Sequence, residues 1–227
     1  MDVGLLFDID GTLVDTDDLH FAAFASVFAQ HGVSLDKRAF EQRIIGSPVP
    51  KIAADFLPWM TEAEAAAVVA RKEAEFRARL GDVTTMRGVG ALLDFADSHC
   101  VTCAVVTNAP RQNAVLILTK LGISQRFKTV VIADELAEAK PHPLPYLTGL
   151  ERLNAKADVS VAFEDSRSGI TAAVAAGLNV VGIMTSLDAA TILDLGAVMA
   201  ARDFTDARIF EMIGDFLAAE QRISNSE

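Results

Sequence analysis

Val3-Gly4-Leu5-Leu6-Phe7-Asp8-Ile9-Asp10-Gly11-Thr12 begins as a short apolar run and breaks without a gap into two carboxylates, a glycine and a hydroxyl. The run has the length of a strand and no polar alternation, which is the pattern of a strand buried on both faces. Comparable runs follow at Val101 to Val106, Val130 to Ala133, Val159 to Phe163 and Val180 to Met184, each bounded by polar residues. Between them, Gly88 to Ser98, Pro110 to Leu121, Leu144 to Leu153 and Gly169 to Ala176 carry apolar residues at helical spacing. Pro110 marks a helix start, and Gly122 and Gly177 are stop signals. Strand alternating with helix predicts an α/β fold, a parallel Rossmann-like sheet with helices on both faces.

One interval breaks the alternation. After Phe7 the next strand-like run begins only at Val101, and the sequence between reads as helix at Asp18 to Gln30, Asp36 to Ile45 and Thr61 to Leu80. The last opens on Thr61 and Glu64, the spacing of a capping box. The expected organisation is an α/β core of residues 1–14 and 84–227 carrying an inserted all-helical cap of residues 15–83. The polar tail, Arg222 to Glu227, is expected to fray.

Composition narrows the class. With 31 acidic against 20 basic residues the net charge is -11, half the chain is hydrophobic and only two cysteines occur. Such a chain buries a core, and disulfide scaffolds, collagen-like repeats and disordered polymers are excluded. The acidic balance gives no basic footprint for nucleic acid or an anionic membrane, so neither is an expected partner. No window reaches the ~20 apolar residues of a spanning helix, and no signal-peptide pattern opens the chain, so the expected location is cytoplasmic. Cys100 and Cys103, at the start of an expected strand, read as two buried core thiols rather than a redox pair. His20, His31, His99 and His142 lack zinc spacing, Gly88-Val89-Gly90 lacks the third glycine of a dinucleotide loop, and 13 phenylalanines indicate core packing.

Open α/β sheets carry their sites at the carboxyl ends of the strands. Asp8, Asp10, Gly11 and Thr12 follow the first run, Thr107 and Asn108 the second, Glu164 and Asp165 the fourth, and Lys140 lies downstream of the third. Carboxylates, a hydroxyl–amide pair and one ammonium on a common rim suit a divalent cation that handles a phosphate. Each segment also has a plainer reading. Asp10-Gly11 is a turn signal, Lys140 before Pro141 a cation in the last turn of a helix, and the pairs at 107–108 and 164–165 helix starts. The functional reading makes Asp8 a nucleophile, with Asp10 placed to exchange a proton with the leaving oxygen and then with water.

Phe7 to Thr16, Val105 to Asn108, Lys140-Pro141 and Phe163 to Ala173 resemble, in order, the four motifs of the haloacid dehalogenase-like superfamily, within its magnesium-dependent phosphatases and phosphomutases bearing a helical cap. The resemblance runs to about Leu195. It implies Asp8 as nucleophile, Asp10 as acid and base, Thr107 as the phosphate-binding hydroxyl and Lys140 as the stabilising cation. Mg2+ would be held by Asp8, the backbone carbonyl of Asp10, and Asp165, with Glu164 in or beside the shell. Asn108, Arg111 and, in the cap, His20 and Lys72 are the candidate substrate contacts. The implied activity is hydrolysis of a small phosphorylated metabolite, a sugar phosphate or phosphoglycolate-like monoester. A β-phosphoglucomutase-like activity is the alternative. Two departures weaken that alternative. Thr107-Asn108 stands where the mutases have Ser-Ala, and Gly46-Ser47-Pro48-Val49-Pro50 lacks the Arg that follows the glycine of the mutase cap motif. A non-enzymatic phospho-acceptor switch shares the strand-end acids and lysine, but the long helical insert fits it poorly. Oligomeric state is not legible.

Overall fold

The five apolar runs form strands because β-branched and aliphatic side chains leave nothing for water on either face. In the computed structural model, which describes residues 2–45, 47 and 49–224, they are β1 (Gly4–Phe7), β2 (Thr102–Thr107), β3 (Thr129–Ile132), β4 (Val161–Glu164) and β5 (Asn179–Ile183), joined by a sixth, β6 (Met199–Ala201). All pairings are parallel, in the order β3-β2-β1-β4-β5-β6. The chain winds outward from β1 to β2 and β3, then returns to β4 on the other side. The direction of winding therefore reverses between β1 and β4, the place where an open parallel sheet leaves a crevice at its carboxyl edge.

The chain divides into two compact units, Met1–Asp15 with Thr84–Glu227, and Thr16–Val83. In the first, α5 (Val89–Ser98), α6 (Arg111–Lys120), α7 (Leu144–Leu153), α8 (Arg167–Ala175), α9 (Ala189–Asp194) and α10 (Ala207–Ser224) accompany the sheet. Leu6, Val106, Ala162 and Val180 from neighbouring strands pack with Tyr146, Leu150 and Ile170 in one core layer. Phenylalanines cluster as well. Phe7 stacks on Phe163 at 4.8 Å, and Phe204 packs tilted against both. Rings buried this way contribute about 0.5–1.5 kcal/mol per pair beyond their area.

The second unit is helical: α1 (Asp17–Ala29), α2 (Lys37–Arg43), α3 (Val49–Phe56) and α4 (Glu62–Arg79). Its core joins Phe24, Val27 and Phe28 to Phe40, Ile52, Phe56 and Val68. Thr61 and Glu64 form the reciprocal capping box at the head of α4.

Several sequence expectations are corrected. Cys100 is exposed while Cys103 is buried; Cys100 lies in the turn before β2 with φ 54°, not on the strand. Of the polar tail, 222–224 belong to α10, and residues 225–227 lie outside the described residues. So do Gly46 and Pro48 of the cap motif. Strand β6 and helices α3, α9 and α10 had no counterpart in the sequence reading. Among the described residues, no helix is long and apolar enough to cross a membrane.

Candidate active site

Asp8 is the first residue after β1, and its amide continues the sheet ladder by donating to the Phe163 carbonyl at 3.0 Å. The strand on one side of β1 delivers Glu164 and Asp165, and the strand on the other delivers Thr107. Lys140 reaches the same place from the connection between β3 and α7. Its Nζ donates to Asp8 Oδ1 at 2.7 Å, to Glu164 Oε1 at 2.5 Å and to the Val106 carbonyl at 2.7 Å. Three acceptors match the three protons of an ammonium, which fixes the group as a point of positive charge.

The carboxylates are crowded. Asp8, Glu164 and Asp165 are all buried, and each offers an oxygen within 4.8 Å of the others. Burial pushes the Asp8 carboxyl up to about 8; Lys140 opposes this, while Glu164 and Asp10 add to it. Burial alone would pull Lys140 down, but Asp8 and Glu164 outweigh it and hold the ammonium above its ordinary range. Three buried acids thus share one buried cation. An oxygen-rich, net-negative cluster of this kind fits a hard divalent ion such as Mg2+, which takes carboxylate oxygens and would stabilise an ionised Asp8.

Two glycines make the crowding sterically possible. Gly11 has φ 75°, and a Cβ there would stand 2.1 Å from Asp165 Oδ2. At Gly169 a Cβ would meet the Glu164 carboxylate at 1.9 Å. The turn that contains Gly11 is closed by Gly11 donating to the Val14 carbonyl at 2.8 Å. It is not a hairpin, since both neighbours of β1 run parallel to it.

The plainer readings can be compared with the geometry. Between β3 and Lys140 there is no α-helix, only a short 3-10 turn at Ala133–Glu135, so its charge answers carboxylates and not a helix end. Helix α8 is capped by Ser166, whose Oγ accepts from the Gly169 amide, and not by Glu164 or Asp165. Helix α6 begins after Pro110 with no side-chain cap.

The remaining candidates are distributed unevenly. Thr107 is buried, with Oγ1 accepting from the Ala109 amide at 3.0 Å. Asn108 is exposed, its Nδ2 within 3.5 Å of the Lys140 carbonyl. Asp10 is half-buried beside the cluster. Arg111 pairs on the surface with Glu135, its guanidinium forking onto the carboxylate at 2.6 and 2.5 Å. In the helical unit His20 Nδ1 lies 2.8 Å from Lys72 Nζ, and the imidazole stacks on Phe76 at 4.0 Å. Lys72 is buried, bonded to Glu73 Oε1 at 2.9 Å and set over the Phe24 ring at 4.5 Å.

Sequence reasoning missed the groups that hold the cluster still. Tyr146, fully buried on α7, donates its hydroxyl to Glu164 Oε1 at 2.7 Å, and burial followed by the Glu164 charge drives its phenol well above the ordinary range. Glu164 Oε2 accepts from the Asp165 amide and the Ser166 hydroxyl, each at 3.2 Å. Tyr146 lies in the apolar stripe of its helix, where spacing alone marks it as core.

The family model for haloacid dehalogenase-like hydrolases matches residues 5–183, and the chain belongs to that family. It is 32% identical over 206 residues to the validoxylamine A 7'-phosphate phosphatase of Streptomyces hygroscopicus subsp. limoneus, covering 89% of this chain and 94% of that one. It is 32% identical over 202 residues to the phosphorylated carbohydrates phosphatase of Thermotoga maritima, covering 86% and 91%. Among solved structures, CbbY from Rhodobacter sphaeroides in complex with phosphate is similar with TM-score 0.80 at 27% identity, over 91% of this chain and 96% of that one.

Proposed function

We propose that this protein is a magnesium-dependent phosphatase that hydrolyses a small organic phosphate monoester, a sugar phosphate or a phosphoglycolate-like acid, through a phospho-aspartate on Asp8. The observation that carries the reading is the buried Asp8 carboxylate, 2.7 Å from the Lys140 ammonium and clustered with Glu164 and Asp165. The names of the curated relatives, phosphatases of phosphorylated sugars among them, support the substrate class.

The residues divide the work. Asp8 forms a bond to phosphorus as the ester P–O bond breaks, and Asp10 gives the departing alcohol its proton. Water then loses a proton to Asp10 and attacks phosphorus, the bond to Asp8 breaks, and inorganic phosphate leaves. Lys140 reduces repulsion between Asp8 and the incoming anion, an effect strengthened by its burial. Thr107 and Asn108 are placed at the end of β2 to donate hydrogen bonds to phosphate oxygens. Asp8, Asp165 and the Asp10 backbone carbonyl, with Glu164 alongside, would hold Mg2+, which when bound would further neutralise charge. These groups recognise only phosphate. Selection of the organic portion falls to the helical unit, where His20 and Lys72 are the substrate candidates, and that unit acts as a cap.

Phosphate release from p-nitrophenyl phosphate in the presence of magnesium is the direct test. Asp8→Asn keeps the shape of the side chain and loses the nucleophile, so release falls to background; sustained turnover by that variant overturns the reading.

A further inference from the structure

Strand β5 ends at Ile183, and the chain leaving it carries a pair of hydroxyls that the four motifs do not include. Thr185 Oγ1 donates to the Gly11 carbonyl at 2.6 Å. Ser186 Oγ donates to Asp165 Oδ2. The two bonds therefore reach both segments on which the carboxylate cluster depends, the turn after β1 and the residue after β4. Neither bond is local, since the partners lie 174 and 21 residues away in sequence.

Gly11 closes on the same oxygen from another direction, because a Cβ there would stand 2.1 Å from Asp165 Oδ2. The Asp165 carboxylate is thus confined between a bare α-carbon and a donated hydroxyl. Fixing one oxygen of a planar carboxylate restricts the other. Thr185, bonded to the carbonyl of Gly11, holds the β5 exit against the turn from which that α-carbon comes.

We propose that Ser186 is a positioning residue for the cation: its hydroxyl sets the orientation of Asp165 and thereby the affinity of the site for Mg2+. The proposal rests on the magnesium-dependent reading given above. Groups of this kind, one bond removed from the ion, typically change metal affinity 10–100-fold when removed.

The test compares Ser186→Thr with Ser186→Val, which have nearly the same shape and differ in the hydroxyl. Isothermal titration of Mg2+ into the full-length, phosphate-free protein should show Ser186→Val binding about 10–100-fold more weakly and Ser186→Thr close to the parent. In p-nitrophenyl phosphate turnover, Ser186→Val should need more Mg2+ for half-maximal rate while kcat at saturating Mg2+ changes far less. Ser186→Ala, smaller and without added bulk, carries the same expectation should the valine variant fold poorly. Unchanged Mg2+ affinity in the folded, hydroxyl-free variants overturns the proposal. Asp165→Asn in the same titration separates the two levels of the argument. If it loses Mg2+ while Ser186→Val does not, only the positioning role fails; if both bind like the parent, the metal reading fails with it.

Discussion

The two compact units each bury one lysine, and the surroundings of the two differ in kind. Lys140 sits among two carboxylates and a backbone carbonyl, all close enough to accept a proton. Lys72 meets one carboxylate, an imidazole nitrogen and two aromatic faces. With Asp165 added, the first environment holds more carboxylates than its one ammonium balances, a set of oxygens that could hold a metal ion. In the second, aromatic faces and a ring nitrogen stand among the ammonium's neighbours. A buried lysine can therefore sit within a cluster of carboxylates or in a partly aromatic setting, and the chemistry of its neighbours distinguishes the two.

Removing the core lysine is the strongest way to break this comparison. Lys140→Met leaves Asp8 and Glu164 buried without their ammonium, and breaking such an arrangement costs about 3–5 kcal/mol. Urea denaturation should show a loss of that order, and kcat should fall by at least about a hundredfold, as when a preorganised donor is removed. A stable, active Lys140→Met variant removes the distinction.

The equivalent change in the helical unit should separate stability from recognition. Lys72→Met replaces the ammonium with an apolar chain of similar length beside Phe24 and Phe76, and leaves Glu73 with its side chain 16% exposed. Stability should fall less than in Lys140→Met, which strands two carboxylates that are more deeply buried. Should Lys72 meet the substrate, KM for the preferred sugar phosphate rises roughly tenfold, the worth of one charge-assisted hydrogen bond, with kcat less affected. A large loss of stability with unchanged KM assigns Lys72 to the fold.

Arg111→Ala should do least. Its partner Glu135 is half-exposed and the pair is on the surface, where water and salt already screen the attraction. Thermal midpoint and phosphatase kinetics should match the parent, and a kinetic defect restores Arg111 as a substrate contact.

How much of this could be read from sequence depended on which force shaped each segment. Strands β1 to β5 were legible because a strand covered on both faces leaves an unbroken apolar run. Strand β6 was not, since Met199, Ala200 and Ala201 are three residues with little hydrophobic weight. Helix α10 had a usable signal that went unread, as Ile209, Ile213 and Leu217 repeat at four-residue intervals and are buried. Asp8, Glu164 and Asp165 were legible because charge at the end of an apolar run is conspicuous, whereas Lys140, downstream of its strand, was marked only by its resemblance to a family motif. Tyr146, Ser166 and Ser186 were not. A hydroxyl suits surface, turn and core alike, and only its bond in three dimensions gives it a role.

Where the helical unit departs from the core and returns, the core bonds to itself: the Met86 amide donates to the Leu13 carbonyl at 2.7 Å. The two junctions of the core are thereby held side by side, so the chain leaves and re-enters the core at one place. Recombination at that seam would exchange the whole insert in one piece while leaving the strand ends of the core contiguous.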